Sequence, residues 1–169
     1  MTPREPATRT REIREANERD AADIAALINE AYLPAEGFLY DGPRISVDEV
    51  RAKLGNGKFL LRATSIGSLA GCVYVEVRHV TGYFGLLAVS TNRQHHGLGR
   101  KLVSAAEAFC RARGCDAVEI DVVNHRQELF PFYGGLGYRV IGQRPFDDER
   151  LNRPCHFVMM RKSLTHAAG

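Results

Sequence analysis

Leu87-Ala88-Val89-Ser90-Thr91-Asn92-Arg93-Gln94-His95-His96-Gly97-Leu98-Gly99-Arg100-Lys101 is the stretch on which the fold turns. An apolar run ends at Ser90 and a polar turn carries Gly97 and Gly99. Leu98, Leu102, Val103, Ala106, Phe109 and Cys110 then recur on one helical stripe that stops at Gly114. A strand therefore enters a glycine-containing turn and a helix starts at once. The first turn of a helix has unpaired backbone N–H groups and a partial positive charge, and the two glycines remove side chains that would keep a phosphate away. The junction predicts a pyrophosphate cradle, with Arg93, Arg100 and Lys101 near enough in sequence to add charge-assisted contacts. The plainer alternative is that the glycines merely permit a tight turn. A Walker A loop would need GxxxxGK[ST], and a dinucleotide fingerprint would need a third glycine where Leu102 stands, so both common phosphate loops are excluded.

Working outward, the β-branched run DAVEIDVVN (116–124) follows the helix, and a strand, helix, strand order predicts a right-handed crossover with the two strands parallel. Upstream, KFLLRAT (58–64), LAGCVYVEVRHV (69–80) and GYFGLLAVS (82–90) are separated by glycine-containing turns and predict an antiparallel meander. Ile24, Leu27, Ile28 and Ala31 predict a first helix from about Asp20, as N-cap, to Tyr32, ending before Pro34. Ser46 predicts the cap of a second helix running through Asp48, Val50 and Leu54 and closed by Gly55 and Gly57. A weaker strand at 11–16, a short helix over 129–133 and final strands YRVIGQ (138–143) and PCHFVMMRK (154–162) complete an α/β (α+β) fold. Residues 1–9 predict a flexible tail, leaving 10–169 as a single domain.

Composition narrows the function. The chain has 169 residues, 44% of them hydrophobic and 25% charged, with no apolar run long enough to span a membrane and no secretory leader in its charged N-terminus. The expected location is the cytoplasm. A net charge of +3, scattered among acids, argues against a nucleic-acid partner but leaves room for an anionic small ligand. The four cysteines, Cys72, Cys110, Cys115 and Cys155, form no CxxC pair and read as reduced thiols. His95 and His96 are adjacent in a turn, where side chains diverge, so no metal is expected.

Gln94-x-x-Gly97-x-Gly99 resembles the Q/R-x-x-G-x-G/A signature of the GNAT superfamily of N-acetyltransferases, and the preceding LLAV is similar to its fourth strand. IREANERDAADIAALINEAY (13–32) resembles the family's first strand and helix, EIDVVN and FYGGLGYRVIG its fifth strand and fourth helix, and PCHFVMMRKSL the last strand of one branch. The resemblance implies a mixed, mostly antiparallel sheet of about seven strands, with helices on both faces and a splay between the fourth and fifth strands. It implies acetyl-CoA as cosubstrate. Backbone groups of Leu87, Ala88 and Val89 would hold the pantetheine arm, and backbone amides of Gln94, His95, His96, Gly97, Leu98, Gly99 and Arg100 the pyrophosphate. Asn124 matches a CoA-contacting asparagine, and Tyr133 the tyrosine that protonates the departing thiolate. Thr91 stands where the family usually has proline, and the interval from Asn124 to Tyr133 is longer than usual and contains Pro131.

A phenol is protonated at neutral pH and suits that acid role, although without the resemblance Tyr133 reads more readily as a packed core residue. Alternation puts Cys72, Tyr74 and Glu76 on one strand face and Ala117, Glu119 and Asp121 on another, which makes Glu76 the candidate general base. The irregular loop AYLPAEGFLYDGP (31–43) is the candidate acceptor wall or else a plain connector. The expected function is acyl transfer from acetyl-CoA to an amine of a small molecule or peptide, by a monomer or homodimer. A non-catalytic acyl-CoA sensor or interaction module is the alternative.

Overall fold

The computed structural model describes residues 12–165; the predicted tail at 1–9 and the first residue of the 11–16 strand lie outside them. Seven strands form one sheet: β1 (Ile13–Glu15), β2 (Lys58–Ala63), β3 (Leu69–Arg78), β4 (Thr81–Val89), β5 (Ala117–Val123), β6 (Arg139–Pro145) and β7 (His156–Ser163). Their spatial order is β1-β2-β3-β4-β5-β7-β6. The β2-β3-β4 meander is antiparallel, as the sequence predicts, and β4 and β5 are parallel.

Four helices cover the sheet: α1 (Ala21–Glu36), α2 (Val47–Leu54), α3 (Leu98–Ala112) and α4 (Leu129–Gly135). Two apolar clusters show how the layers form. Ile24, Ile28 and Val50 of α1 and α2 pack on Phe59, Leu61, Cys72, Tyr74 and Ala88 from one face of the sheet. Leu102, Val103 and Ala106 of α3 pack with Tyr133 of α4 on Val73, Val75, Phe84, Val118 and Ile120 of the other. Strand alternation sorts these side chains to opposite faces, and burying both removes the apolar stripe of every long helix from water.

Two local expectations are corrected. The first helix does not end before Pro34 but runs through it to Glu36. The missing N–H of Pro34 falls in the last turn, where one lost bond is tolerated, and Glu36 beyond it is anchored by Arg126. Asp20 does stand at the N-cap position of α1, but its side chain makes no capping bond there: Asn17 caps a short 3-10 turn at Glu18–Asp20, with the Asp20 carboxylate accepting the Asn17 N–H as the reciprocal half of a capping box. Ser46 does cap α2, exchanging hydrogen bonds with Glu49 in a second capping box.

The position of the site follows from one pairing. β4 and β5 are hydrogen-bonded only over Thr81–Tyr83 and Ala117–Glu119, after which β4 stays with β3 while β5 follows β7. The sheet opens into a wedge toward the C-terminal ends of both strands. A bulge in β4, with Leu86 at φ +50°, sharpens the divergence.

Candidate active site

The loop from Ser90 to Gly97 is tied down at several points. The Ser90 N–H donates to the Ala70 carbonyl at 2.8 Å and the Arg93 N–H to the Ser90 carbonyl at 2.8 Å. The Gln94 carboxamide donates to the Val89 carbonyl at 3.1 Å, and the Thr91 hydroxyl donates to Glu30 of α1 at 2.9 Å. His95 and Gly97 both take left-handed conformations, φ +69° and +81°. At Gly97 nothing lies within 4 Å of the position a Cβ would occupy. No side chain caps α3, so the N–H groups at the head of this 15-residue helix face open space. Val89, Arg93, Gln94, His95, Gly97, Leu98, Gly99, Arg100 and Phe132 enclose a cavity of about 290 Å³ there. His96 turns away into a neighbouring basic cavity with Arg62, Arg93 and Lys101. Uncapped donors, an absent side chain and flanking cations suit a pyrophosphate group, so the residues fit the cosubstrate that the sequence implies.

The wedge between β4 and β5 is a second cavity, of about 230 Å³, walled by Tyr83, Phe84, Gly85, Leu86 and Leu87 on one side and Ile120, Asp121, Val122 and Val123 on the other. Tyr32 and Glu36 of α1, Arg44, Glu49 and Lys53 around α2, Arg126, and Leu129 and Tyr133 of α4 complete it. The two cavities have linings that are close in the chain. Leu87 lines the wedge and Val89 the cradle; Tyr133 lines the wedge and Phe132 the cradle. The end of β4 and α4 therefore each contribute to both cavities. The Ser90 to Ala70 bond turns Ser90 and, by alternation, Ala88 toward β3, which leaves the backbone groups of Leu87 and the Val89 N–H directed away from β3, the Val89 carbonyl being taken by Gln94. Of the three β4 residues predicted to hold the pantetheine arm, Ala88 thus has its backbone committed to the sheet.

Tyr133 lines the wedge, 6% exposed, with its ring 6.1 Å from that of Phe84 and 5.0 Å from that of Phe132. Burial pushes its phenol above the ordinary tyrosine range, opposed by the nearby Arg126 guanidinium. Asn124 lies at the end of β5, where its side-chain oxygen accepts the His156 N–H at 2.9 Å and its own N–H reaches the His156 carbonyl at 3.0 Å; it lines neither cavity. Glu76 pairs with Tyr83 near the closed end of the sheet. Its carboxylate accepts the Tyr74 hydroxyl at 2.5 Å and is paired with Arg78, and it lies outside the wedge. Among the described residues no cluster of three metal-ligating side chains exists.

Several wall residues were beyond sequence reasoning. Arg126, Arg44, Lys53 and Arg144 are far apart in the chain and belong to no motif; the topology alone gathers them. Arg126 holds Glu36 at 2.9 Å and Glu128 at 2.6 Å, and Arg144 holds Asp121 with an Nε distance of 3.1 Å. Burial pulls the Lys53 ammonium below its ordinary range. The one clue in the sequence was the aromatic-rich segment at 31–43, which contributes Tyr32 and Glu36, although these stand in the last turns of α1 and not in the irregular loop expected there.

Comparison with solved structures places the architecture. The yncA protein of Salmonella typhimurium, solved with its cofactor acetyl-CoA, matches with a TM-score of 0.70 and 22% identity over 94% of this chain and 96% of that one. The ribosomal-protein-alanine N-acetyltransferase of Brucella melitensis matches with a TM-score of 0.73 and 17% identity over 90% and 99%. A GNAT-family acetyltransferase of Staphylococcus aureus matches with a TM-score of 0.70 and 15% identity over 91% and 99%. At these identities the likeness establishes the fold. The sequence itself matches the model of the acetyltransferase (GNAT) family over residues 22–138, a span holding the cradle, the wedge-forming strands and Tyr133. With that match and the parallel, splayed β4 and β5, the chain belongs to the GNAT acetyltransferase family, whose members use acetyl-CoA as cosubstrate.

Proposed function

We propose that this protein transfers an acetyl group from acetyl-CoA to the amine of a small molecule or peptide, with the reacting atoms in the wedge between β4 and β5. The observation that carries this reading is the uncapped head of α3 beside the splay of β4 from β5, with Phe132 of α4 on the cradle and Tyr133 on the wedge. Acetyl-CoA supplies an activated thioester when bound. The backbone amides of Gln94 to Arg100 bind its pyrophosphate, and Leu87 and the Val89 N–H pair with its pantetheine arm. The divergence at Tyr83 leaves room for the acetyl group between the strands.

The wedge then holds amine and thioester together, and such positioning alone removes much of the barrier. The neutral amine forms its C–N bond at the thioester carbon while the C–S bond breaks, and Tyr133 donates its proton toward the departing sulfur. The proton released by the amine goes to water or to a wedge carboxylate such as Asp121, which stands on β5 two residues past its last pairing with β4 and is held by Arg144. Glu76 lies outside the wedge and is not required by this route.

The test is a screen of thiol release from acetyl-CoA against amino acids, polyamines, aminoglycosides and lysine peptides, with the acetylated product identified by mass. Release with at least one amine upholds the proposal. Binding of acetyl-CoA with no release from any of these amines would instead favour a sensor.

A further inference from the structure

A cavity of about 390 Å³ lies beside the pyrophosphate cradle and shares Arg93 and Leu98 with it. Arg62 of β2, His96 of the loop before α3 and Lys101 of α3 also line it, and no carboxylate of the described residues does. Three separate parts of the chain bring these groups together. Arg62 follows Leu61 and shares a sheet face with Leu60, which packs in the cluster beneath α3. Gly71, paired with Arg62 on β3, has no side chain, and a Cβ there would lie 2.8 Å from Leu102 Cδ1 and 3.1 Å from Leu98 Cδ2. The head of α3 therefore rests on β3 beside Arg62, which gathers Arg62 and Lys101 around one hollow. Beyond Arg62 the hairpin is closed by Thr64 and Ser68, N–H to carbonyl at 2.7 Å and hydroxyl to hydroxyl at 2.8 Å. Ser65 lines the cavity with its hydroxyl unbonded among the described residues.

The charge here is unbalanced. In the wedge Arg44, Arg126 and Arg144 are each matched by a carboxylate. Arg62, Arg93 and Lys101 take part in no ion pair among the described residues. Cations of one sign around a hollow with apolar walls at Ala63, Ala70 and Leu98 concentrate a positive potential, which attracts an anion. A single carboxylate would offset only one of the three. A phosphate monoester carries about 1.5 to 2 negative charges at neutral pH and three acceptor oxygens, which two guanidinium groups, an ammonium and a hydroxyl can meet. CoA bears one such group, on the ribose next to its pyrophosphate, and the shared rim at Arg93 and Leu98 sets this cavity next to where the pyrophosphate would lie.

We propose that the cavity bounded by Arg62, Arg93 and Lys101 binds a phosphate monoester, with the 3′-phosphate of the cosubstrate as its occupant. The inference rests on the cradle holding the pyrophosphate, and the experiment reads the two separately. CoA and 3′-dephospho-CoA are titrated by calorimetry into the full chain. The affinity of dephospho-CoA reports on the cradle, and the ratio of the two affinities reports on the cavity. CoA binds at least about tenfold tighter, the equivalent of one charge-assisted hydrogen bond. Arg62→Gln lowers that ratio at least about threefold and leaves the affinity for dephospho-CoA at its wild-type value, whereas damage to the sheet would weaken both ligands alike. Lys101→Gln makes the same comparison from the helix side should Arg62→Gln fail to fold. A free phosphate as occupant gives another pattern: the two ligands bind alike, while inorganic phosphate at constant ionic strength raises the melting temperature of the wild type and not of Arg62→Gln. That result keeps the site and changes its source of phosphate. Equal binding of the two ligands without that effect of phosphate, or a preference for CoA that both variants keep in full, overturns the site. Acetyl transfer to an amine is untouched by either result, since thiol release tests it.

Discussion

At the scale of the residue, the account depends most on one hydroxyl. Tyr133 is both a buried neighbour of Phe84 and Phe132 and a wall of the wedge, so its packing and its chemistry have to be separated by substitution. Tyr133→Phe keeps the ring, and the expected outcome is a melting temperature close to wild type with a single-turnover rate lowered about 100-fold or more, the usual loss on removing a general acid. A wild-type rate would make Tyr133 a core residue only. The pH dependence follows from the same group. Its phenol is held above the ordinary range by burial, so the donor stays protonated, while the acceptor becomes nucleophilic only as its ammonium loses a proton. The rate should rise with pH through the acceptor's own pKa and show no falling limb up to about pH 10, the ordinary tyrosine value. A fall between neutrality and that point would assign the proton donor to another group. Tyr133 was legible in the sequence only through its place in FYGGLGY. The Glu36, Arg44 and Arg126 cluster was not legible at all, because each member looks like an ordinary surface charge until α1, the following loop and the β5 to α4 connection are brought together.

At the scale of the element, the strand-to-helix junction was readable because its requirements are local. A stripe of apolar residues defines α3, and Gly97 supplies a left-handed conformation that other residues adopt at a cost. The end of α1 was not readable, because Pro34 is overridden by a contact with Arg126, a residue 90 positions away from Glu36. Close approach between elements gives a second local requirement. At Gly82 a Cβ would lie 2.9 Å from the Cβ of Cys110 and press on its sulfur, so α3 sits directly against β4 at the paired end of the sheet. Gly82→Ala should destabilise by about 1–3 kcal/mol, the usual cost of overpacking, and lower the melting temperature by about 2–4 °C for each kcal/mol. Its acetyl-CoA affinity should match wild type, because the cradle lies at the opposite end of β4. Equal stability in a thermal melt would show that α3 and β4 can shift apart freely. Ser46→Ala should cost about 1 kcal/mol by opening the capping box of α2, with no effect on cofactor binding.

At the scale of the whole molecule, the sheet is continuous through six pairings and opened at one, and both halves of the chemistry use that opening. The mixed order of strands was foreseeable from the meander and the crossover, whereas the insertion of β7 between β5 and β6 rests on a fainter signal, Gly142 and Pro145 in the edge strand β6 against the apolar run at 157–160 in the inner strand β7. A ligand bridging α3, β4 and α4 should stabilise the entire fold. At a hundredfold excess over its dissociation constant acetyl-CoA should add about 2.7 kcal/mol, visible as a raised melting temperature. The most direct test of the central claim is calorimetric titration of acetyl-CoA into the wild-type protein and into Gly97→Glu, with circular dichroism to confirm that the variant is folded. The account predicts one site per chain in the wild type and at least about a 100-fold loss in the variant, as expected when a carboxylate displaces two or so charge-assisted hydrogen bonds of about 1.5 kcal/mol each. Unchanged affinity in a folded Gly97→Glu protein would contradict it and place the pyrophosphate somewhere other than the head of α3.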